Sequence, residues 1–392
     1  MVEAWLSIIG LNEDGLAGLT FASREALARA EIVFGAPRHL ALAKVQGREW
    51  GVPFSIAPVL AERGRRVAVL ASGDPFWHGA GGTLVGHLEP GEWVSYPVVS
   101  TFTLAVNRLG WRMEEVLCLG LHAAPLTRLR PVLARGQKVI CLLRDGTAVG
   151  ELAAVLLAEG FGGSTLHVLQ ALGGLSERNV NISPQEAVLA AFSAPVAVAI
   201  DCVGKGLPRA SGLPDDLFAH DGQITKRGIR ALTLSALAPR GGEVLWDLGT
   251  GSGSVSIEFL LAAPGSVAHA VEADALRGER AWGNAGRFGL THRWHLHSGK
   301  AAEVVGDLPP PDVVFIGGGA SDSLLEAVWA LMPGAARLVV NGVTLETEAL
   351  LYRWHGAKGG SLMRIDLAEV GSLGSKRGWE ASRPVVQWSA VK

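Results

Sequence analysis

Short runs of β-branched and aliphatic residues alternate with segments of helical periodicity along the whole chain. In the first half the runs are LSIIGL, RVAVLAS, KVICLLR, STLHVLQ and APVAVAIDCVG. Such runs predict buried strands, and the helical segments between them supply the crossovers that parallel strands require. The pattern therefore predicts an α/β protein with mainly parallel sheets.

This alternation fails between Lys205 and Gly222. The sequence there, KGLPRASGLPDDLFAHDG, concentrates Gly, Pro, Ser and Asp, which favour turns over regular elements. A chain of 392 residues also exceeds what one hydrophobic core usually organises. We therefore predict two domains, residues 1–204 and 222–392, joined by a linker at 205–221.

The second domain begins with a predicted helix from about Thr225. Five strand-like runs follow, EVLWDLG, SVAHAVEAD, RWHLHSG, PDVVFIGG and ARLVVNG. Two more, SLMRIDLAEV and RPVVQWSAVK, are separated by a loop too short for a crossover helix, so they should pair antiparallel. The pattern predicts a Rossmann-like domain with a mostly parallel seven-stranded sheet.

Composition excludes several classes of protein. Apolar residues make up 48% of the chain, but the longest apolar stretches are broken by Pro195, Glu159 or glycines before the roughly 20 residues that a membrane helix needs. The N-terminus lacks the features of a signal peptide, so we expect a cytoplasmic protein. A net charge of −2 argues against a nucleic-acid partner. Three widely spaced cysteines predict neither a metal site nor disulfides.

The strongest chemical signal is EVLWDLGTGSGSVSIEFL. A buried strand ends at Asp247, a glycine-rich turn follows, and a helix begins at about Ser254. Glycines let a ligand approach the backbone closely, and the helix N-terminus presents N–H groups that suit a carboxylate. The next strand ends at Glu272, whose carboxylate can accept hydrogen bonds from ribose hydroxyls. The turn residues are Gly249, Thr250, Gly251, Ser252 and Gly253.

These residues leave three interpretations open: a site for S-adenosylmethionine, a dinucleotide site and a purely structural turn. A dinucleotide motif has its third glycine at the position of Ser254, whereas here Gly253 comes one place earlier. Asp247, directly before the turn, also suits S-adenosylmethionine better than NAD. We favour the S-adenosylmethionine site. The alternatives are a dinucleotide-binding oxidoreductase, a methyltransferase acting on RNA or protein, and a non-catalytic assembly protein.

Two later strand ends add candidates. Ala301 follows the third strand of the second domain, where a small residue can lie against adenine. Gly317 follows the fourth strand, at the carboxyl edge where open α/β sheets bind ligands. In the first half, Gly10 lies at the end of the first strand and Gly73-Asp74-Pro75 follows another buried strand. Taken alone, that tripeptide predicts only a turn.

Three further segments accompany these turns: Tyr96–Thr101, Leu121-His122 and QALGGLSERN. Together the arrangement strongly resembles the tetrapyrrole methylase family. The second half, with DGQITKRGIRALTLSAL, DLGTGSGSVSIE, VVFIGGGASDSLLE and RLVVNGVTLET, is similar to the companion methyltransferase of cobalamin synthesis. The two halves cover nearly all of the chain and resemble the fused precorrin-6B C5,15-methyltransferases (decarboxylating).

The resemblance implies one S-adenosylmethionine site in each domain. In the second domain it adds Thr225, near the cofactor. In the first domain Asn12 stands where the family usually has glycine, and Val99 replaces the glycine before the paired polar residues; Asn tolerates positive φ. The residues implied in the first domain are Gly10, Gly73, Asp74, Ser100, Thr101 and His122.

The resemblance also implies a reaction: methylation of carbons 5 and 15 of a reduced tetrapyrrole and loss of carbon dioxide from the acetate at carbon 12. It assigns carbon 5 to the first domain, and carbon 15 with decarboxylation to the second. A sulfonium methyl is already activated, so the enzyme's task is alignment, and we single out no catalytic acid or base and no metal.

The implied substrate carries many carboxylates, which Lys and Arg side chains bind well. We therefore expect two basic clusters to border the substrate cleft of the second domain. An apolar excess with few charges also predicts a homo-oligomer, with no membrane partner. The clusters are Lys226, Arg227 and Arg230, and Lys376 and Arg377.

Overall fold

The computed structural model describes residues 4–392. The chain divides into two compact units, and the division falls between Gly206 and Leu207. Most of the segment predicted as a linker packs on the second unit, where Leu213 and Phe218 are buried in the hydrophobic core. The turn-forming residues of this segment do prevent long regular elements, but its apolar side chains attach it to the second unit.

The first unit begins with a parallel five-stranded sheet of strand order β3-β2-β4-β1-β5. Its crossovers bring the carboxyl ends of all five strands to one edge. The strands are β1 (Leu6–Leu11), β2 (Ile32–Gly35), β3 (Arg48–Glu49), β4 (Val67–Ser72) and β5 (Trp93–Tyr96). The helices are α1 (Phe21–Arg29), α2 (Pro37–Ala43), α3 (Ala57–Leu60), α4 (Ala80–Val85) and α5 (Thr101–Leu109).

A second sheet of the first unit has the order β6-β7-β10-β8-β9, and only β6 and β7 pair parallel. The expectation of mainly parallel pairing was wrong for this sheet. The loop between β8 and β9 is too short for a crossover, so these strands form an antiparallel hairpin. The strands are β6 (Val116–Gly120), β7 (Lys138–Leu142), β8 (Thr165–Gln170), β9 (Arg178–Ile182) and β10 (Val196–Asp201), with α6 (Thr147–Ala158) and α7 (Pro184–Ala187).

The second unit confirms the predicted mostly parallel seven-stranded sheet. Its order is β13-β12-β11-β14-β15-β19-β16, in which the first five strands are parallel and β19 is antiparallel to both neighbours. The strands are β11 (Val244–Leu248), β12 (Val267–Glu272), β13 (Trp294–Ser298), β14 (Val313–Ile316), β15 (Arg337–Gly342), β16 (Ser361–Ile365) and β19 (Val385–Val391). The helices are α8 (Arg227–Leu237), α9 (Ser254–Ala262), α10 (Ala275–Arg287), α11 (Ala301–Val304), α12 (Asp322–Leu331) and α13 (Leu345–Lys358).

The loop predicted between the last two strands is itself structured. SLMRIDLAEV is not one strand: β16 ends at Ile365, and β17 (Ala368–Leu373) pairs with β18 (Lys376–Ala381) as a separate hairpin. A two-residue turn, Gly374-Ser375, joins them, and glycine at its first position suits such a hairpin. None of the helices in residues 4–392 is long and apolar enough to cross a membrane.

Candidate cofactor sites at the strand ends

The glycine-rich turn of the second unit joins β11 to α9 as the sequence predicts. Asp247 is fully buried at the end of β11, and the Thr250 hydroxyl donates a hydrogen bond to its Oδ2 at 2.6 Å. The other oxygen, Oδ1, is buried, and no group within residues 4–392 lies at hydrogen-bond distance and geometry from it. A buried acceptor left open costs about 1–3 kcal/mol, and a ligand that donates a hydrogen bond would remove that cost.

Burial also determines the ionisation of this carboxyl. It raises the pKa of Asp247, and the Ser256 hydroxyl, the Thr250 hydroxyl and the Ser256 N–H partly oppose the shift. A cationic donor near Asp247 would favour the charged carboxylate again. The ammonium group of an amino-acid ligand is a donor of this kind.

Gly251 is the residue of the turn at which a ligand can approach the backbone most closely. Its φ of +58° is left-handed, and a Cβ built on it would meet no atom of residues 4–392 within 4 Å. Its N–H donates to Glu272 Oε2 at 2.8 Å, while Glu272 Oε1 accepts from the Asp274 N–H at 3.0 Å. The structure therefore brings Asp247, Gly251 and Glu272 together at the carboxyl end of β11.

Gly317 and Ala301 lie at the neighbouring strand ends. The Gly317 N–H donates to the Leu248 carbonyl at 3.3 Å, and a Cβ at Gly317 would lie 3.5 Å from the Gly249 carbonyl oxygen. Ala301 begins α11, two residues after Gly299, whose N–H donates to the Glu272 carbonyl at 3.0 Å. Both predicted positions thus adjoin the residues around the turn.

Asn284 is a buried residue of this site that the sequence interpretation missed. On α10, its Nδ2 donates to the Ser252 carbonyl at 2.8 Å and to the Ala219 carbonyl at 2.9 Å, and its Oδ1 accepts from the Ala219 N–H at 2.8 Å. It therefore connects the glycine-rich turn to the segment before α8. An asparagine within a helical pattern carries no signal that would distinguish this role from a surface position.

The prediction that Arg230 binds substrate was wrong. Its side chain is fully buried, with Nε 2.5 Å from Glu258 Oε1 and Nη1 3.0 Å from Asp215 Oδ1. It also donates to the carbonyls of Thr225 and Leu213. Because α8 turns this side chain into the core, its hydrogen-bonding groups are used within the unit.

The other predicted cations are exposed. Lys226 and Arg227 start α8, where Arg227 Nε donates to the Gly212 carbonyl at 2.8 Å. Lys376 and Arg377 begin β18, on the separate hairpin. Contact between these cations and substrate stays a prediction.

A cavity of about 560 Å³ lies in the first unit. Four residues predicted for the first domain line it: Asp74, Ser100, Thr101 and His122. Ser100 caps α5 by accepting from the Thr103 N–H at 3.1 Å. The carboxyl edge of the parallel sheet and the second sheet both contribute walls, so residues far apart in sequence face one space.

Two glycines permit the close backbone approach beside this cavity. A Cβ on Gly10 would lie only 2.0 Å from the Gly73 carbonyl oxygen, so no larger residue fits there. Nearby, Asn12 Nδ2 donates to the Val99 carbonyl at 3.0 Å. The two positions that depart from the family pattern therefore contact each other and hold the segment before α5.

Four residues of the cavity wall were missed by the sequence interpretation. They are polar side chains that follow β1 and β2 or end β4, and none was singled out as a site residue, although Ser72 directly precedes Gly73-Asp74-Pro75. Only the pairing of these strands places them together. They are Glu13, Arg38, His39 and Ser72.

Lowering the pH should destabilise the first unit through His39. Burial, reinforced by the charge of Arg38, lowers the pKa of His39 from 6.5 to about 4. Between these two pH values the His39 side chain binds a proton in the unfolded chain but not in the folded one. The free energy of unfolding is therefore highest above pH 6.5 and decreases as the pH falls toward 4. We expect a loss of about 2 kcal/mol by pH 5, measured by urea unfolding with hydrogen exchange in the first unit. His39→Gln should lose less stability over the same range; equal losses would contradict the assignment.

Comparisons with known proteins agree with this organisation. The model of the tetrapyrrole (corrin/porphyrin) methylases matches residues 6–184, and that of the precorrin methyltransferase domain matches residues 216–392. A precorrin-6Y C(5,15)-methyltransferase [decarboxylating] of Sinorhizobium sp is 42% identical, over 100% of this chain and 97% of the relative. One of Mycobacterium tuberculosis is 37% identical over 98% of this chain and 99% of the relative.

A solved structure is also similar to part of the chain. It is the C-terminal domain of precorrin-6Y C5,15-methyltransferase from Rhodobacter capsulatus, which is 48% identical, covers 47% of this chain and 100% of that chain, and has a TM-score of 0.46. The full-length relatives settle the family. This chain belongs to the precorrin-6Y C(5,15)-methyltransferases (decarboxylating).

Proposed function

We propose that the chain methylates carbons 5 and 15 of a precorrin and decarboxylates its carbon-12 acetate, with one S-adenosylmethionine site in each unit. The observation that carries this proposal is the glycine-rich turn at the end of β11, where Gly251 has an unobstructed backbone and donates its N–H to Glu272, beside the buried Asp247. Asp247 supplies an unused acceptor oxygen, Gly251 an unobstructed backbone and Glu272 a second carboxylate. These features match an amino-acid end and a ribose.

In the second unit, the turn residues Gly249–Gly253 would hold the amino-acid end of the cofactor, and Glu272 would accept hydrogen bonds from the ribose hydroxyls. Ala301 would lie against the adenine, with Gly317 and Thr225 completing the wall. When bound, S-adenosylmethionine supplies a methyl group activated by its sulfonium charge. The protein's contribution is alignment, because a correctly oriented pair of reactants lowers the barrier without a covalent step on the enzyme.

In the first unit, the proposed cofactor residues line a cavity rather than a single turn. Asp74, Ser100, Thr101 and His122 contribute side chains, while Gly10 and Gly73 allow the backbone to approach. The tetrapyrrole methylase model covers this unit, and on that resemblance we assign carbon 5 to it. Carbon 15 and the decarboxylation are assigned to the second unit.

The precorrin's carboxylates require cations. We propose Lys226, Arg227, Lys376 and Arg377 as the substrate contacts of the second unit, without Arg230. We also propose a homo-oligomer, because the hairpin formed by β17 and β18 exposes the apolar side chains of Val370, Leu373 and Trp379 to solvent.

Mass spectrometry of the product tests the whole proposal. Incubation of the precorrin with the chain and S-adenosylmethionine should add two methyl groups and remove one carbon dioxide. With Gly251→Ala, which obstructs the second unit's site, the methyl at carbon 5 should still appear and that at carbon 15 should not. A wild-type product carrying one methyl, or a variant that still methylates carbon 15, would refute the two-site scheme.

A further inference from the structure

The polar cluster in the wall of the first unit's cavity, consisting of Glu13, Arg38, His39 and Ser72, has no part in the cofactor site proposed above. Arg38 Nη2 lies 3.1 Å from Ser72 Oγ and 3.0 Å from His39 Nε2, and His39 Nε2 lies 2.9 Å from Ser72 Oγ. On its other side, Arg38 is ion-paired with Glu13. The guanidinium is therefore held from two directions.

The direction of these hydrogen bonds follows from charge. A guanidinium only donates, and the lowered pKa of His39 leaves its ring neutral near pH 7, so its Nε2 is an acceptor. His39 thus orients Arg38 and Ser72 without adding positive charge. Although fixed in this way, the Arg38 side chain is 38% exposed and Ser72 is exposed as well.

The ion pair with Glu13 leaves other N–H donors of the Arg38 guanidinium available for a ligand. A guanidinium carries five donors in a planar fork and can bind two carboxylates at once. In the second unit Arg230 does so, with Glu258 and Asp215. A second carboxylate from a ligand in the cavity can therefore join Arg38 without displacing Glu13.

The cluster adjoins the proposed cofactor residues on one side, because Ser72 directly precedes Gly73 and Asp74, whereas Arg38 starts from a more distant strand end. Arg38 follows β2, and Ser100 follows β5, while β4 and β1 lie between these strands in the sheet. Three strand spacings amount to about 14 Å. The Arg38 side chain thus enters the cavity from a strand end away from Ser100 and reaches toward the cofactor residues as far as Ser72.

From this placement we infer that Arg38, positioned by Ser72, forms a carboxylate-binding subsite for a peripheral acid side chain of the tetrapyrrole in the first unit. The inference rests on the proposed function of that unit. Arg38 supplies the charge and the donors, while Glu13, His39 and the Ser72 hydroxyl, which donates to His39, hold the guanidinium in place. The subsite orients the macrocycle so that one carbon faces the cofactor end of the cavity.

The test uses the full chain carrying Gly251→Ala, so that methylation at carbon 5 is measured alone. Adding Arg38→Met should raise the KM for the precorrin roughly 10-fold or more, the effect expected for a lost charged hydrogen bond. The affinity for S-adenosylhomocysteine should stay within about twofold. Ser72→Ala should raise the KM by a smaller factor. Arg29→Met is the matched control, because Arg29 is exposed, pairs with Glu25 and does not line the cavity.

Removing Arg38 alone leaves Glu13 without its partner, so Glu13→Gln with Arg38→Met is a second variant that retains no unpaired carboxylate. It should show the same rise in KM. An unchanged KM in this folded double variant would overturn the subsite. So would a loss of S-adenosylhomocysteine affinity with the KM for the precorrin unchanged, because the carboxylate bound would then belong to the cofactor.

A binding measurement keeps this inference separate from the proposed function. Uroporphyrin III, a polycarboxylate tetrapyrrole, is titrated against the same variants by fluorescence. Arg38→Met should weaken its binding by a factor similar to the rise in KM, while Arg29→Met should not. If the parent transfers no methyl, the proposed function of the first unit fails, and the uroporphyrin titration still decides the subsite: equal affinity in parent and Arg38→Met overturns it.

Discussion

Gly251→Ala should abolish binding of S-adenosylhomocysteine to the second unit while leaving that unit folded. The residue has a φ of +58°, and its missing side chain faces open space. An alanine there costs about 1–2 kcal/mol of backbone strain, but its methyl group enters the space proposed for the ligand. We expect the affinity of this site to fall by roughly 100-fold or more, as for a ligand that loses its close backbone contact. Isothermal titration should show the stoichiometry fall from two sites to one.

Gly242→Ala is the matched control for this prediction. Gly242 also has a left-handed φ, +82°, and a Cβ there would likewise meet nothing within 4 Å. It precedes β11, at the opposite end of the strand from the turn. The strain is therefore similar and the ligand space is untouched, so this variant should keep both sites. If both variants lose binding equally, or if Gly251→Ala keeps it, the turn is not the cofactor site.

Arg230→Met should destabilise the second unit by about 3–5 kcal/mol, the cost of breaking a buried ion pair on one side. Glu258 would keep its charge while only 3% of its side chain is exposed. Its oxygens would still accept from the Gly212 and Leu213 N–H groups, at 2.7 and 2.9 Å. The carbonyls of Thr225 and Leu213 would lose their donor. Urea unfolding of the full chain, followed by hydrogen exchange within the second unit, measures the loss.

Two comparisons make this result specific. Arg353→Met removes an exposed cation of the same unit, paired with Asp322, and should cost less than about 1 kcal/mol. Combining Arg230→Met with Glu258→Gln should recover part of the loss, because the amide carries no charge and keeps an acceptor for one of the two N–H groups. If Arg230→Met costs no more than Arg353→Met, the buried network is not what holds this segment.

In the second unit, the local sequence pattern predicted the elements but not the orientation of every side chain. The alternation of strands and helices and the order of strand, glycine turn, helix, strand and acid are local properties, and the structure has them where the residues indicate. The inward orientation of Arg230 is different. Its neighbours Lys226 and Arg227 are exposed, and only the packing of α8 against α9 shows that one cation of this basic cluster meets a buried Glu258.

In the first unit, the local sequence pattern did not predict the shortest strands or the direction of strand pairing. Short strands such as β2, with four residues, and β3, with two, carry too little periodicity to be recognised. The antiparallel insertion of β10 between β7 and β8 depends on pairing between distant segments. Strand direction follows from such pairings, so apolar runs alone predicted parallel neighbours where the sheet has antiparallel ones.

By itself the sequence determined the fold class, the family resemblance and the glycine turn with its acid, because each is carried by spacing within a short stretch of chain. The tertiary structure alone decided which polar side chains share a space. Glu13 and Arg38 follow β1 and β2, Ser72 ends β4, and the three meet only because the order β2-β4-β1 brings the carboxyl ends of these strands to one edge. That order is set by long-range burial and strand pairing, which no local spacing encodes.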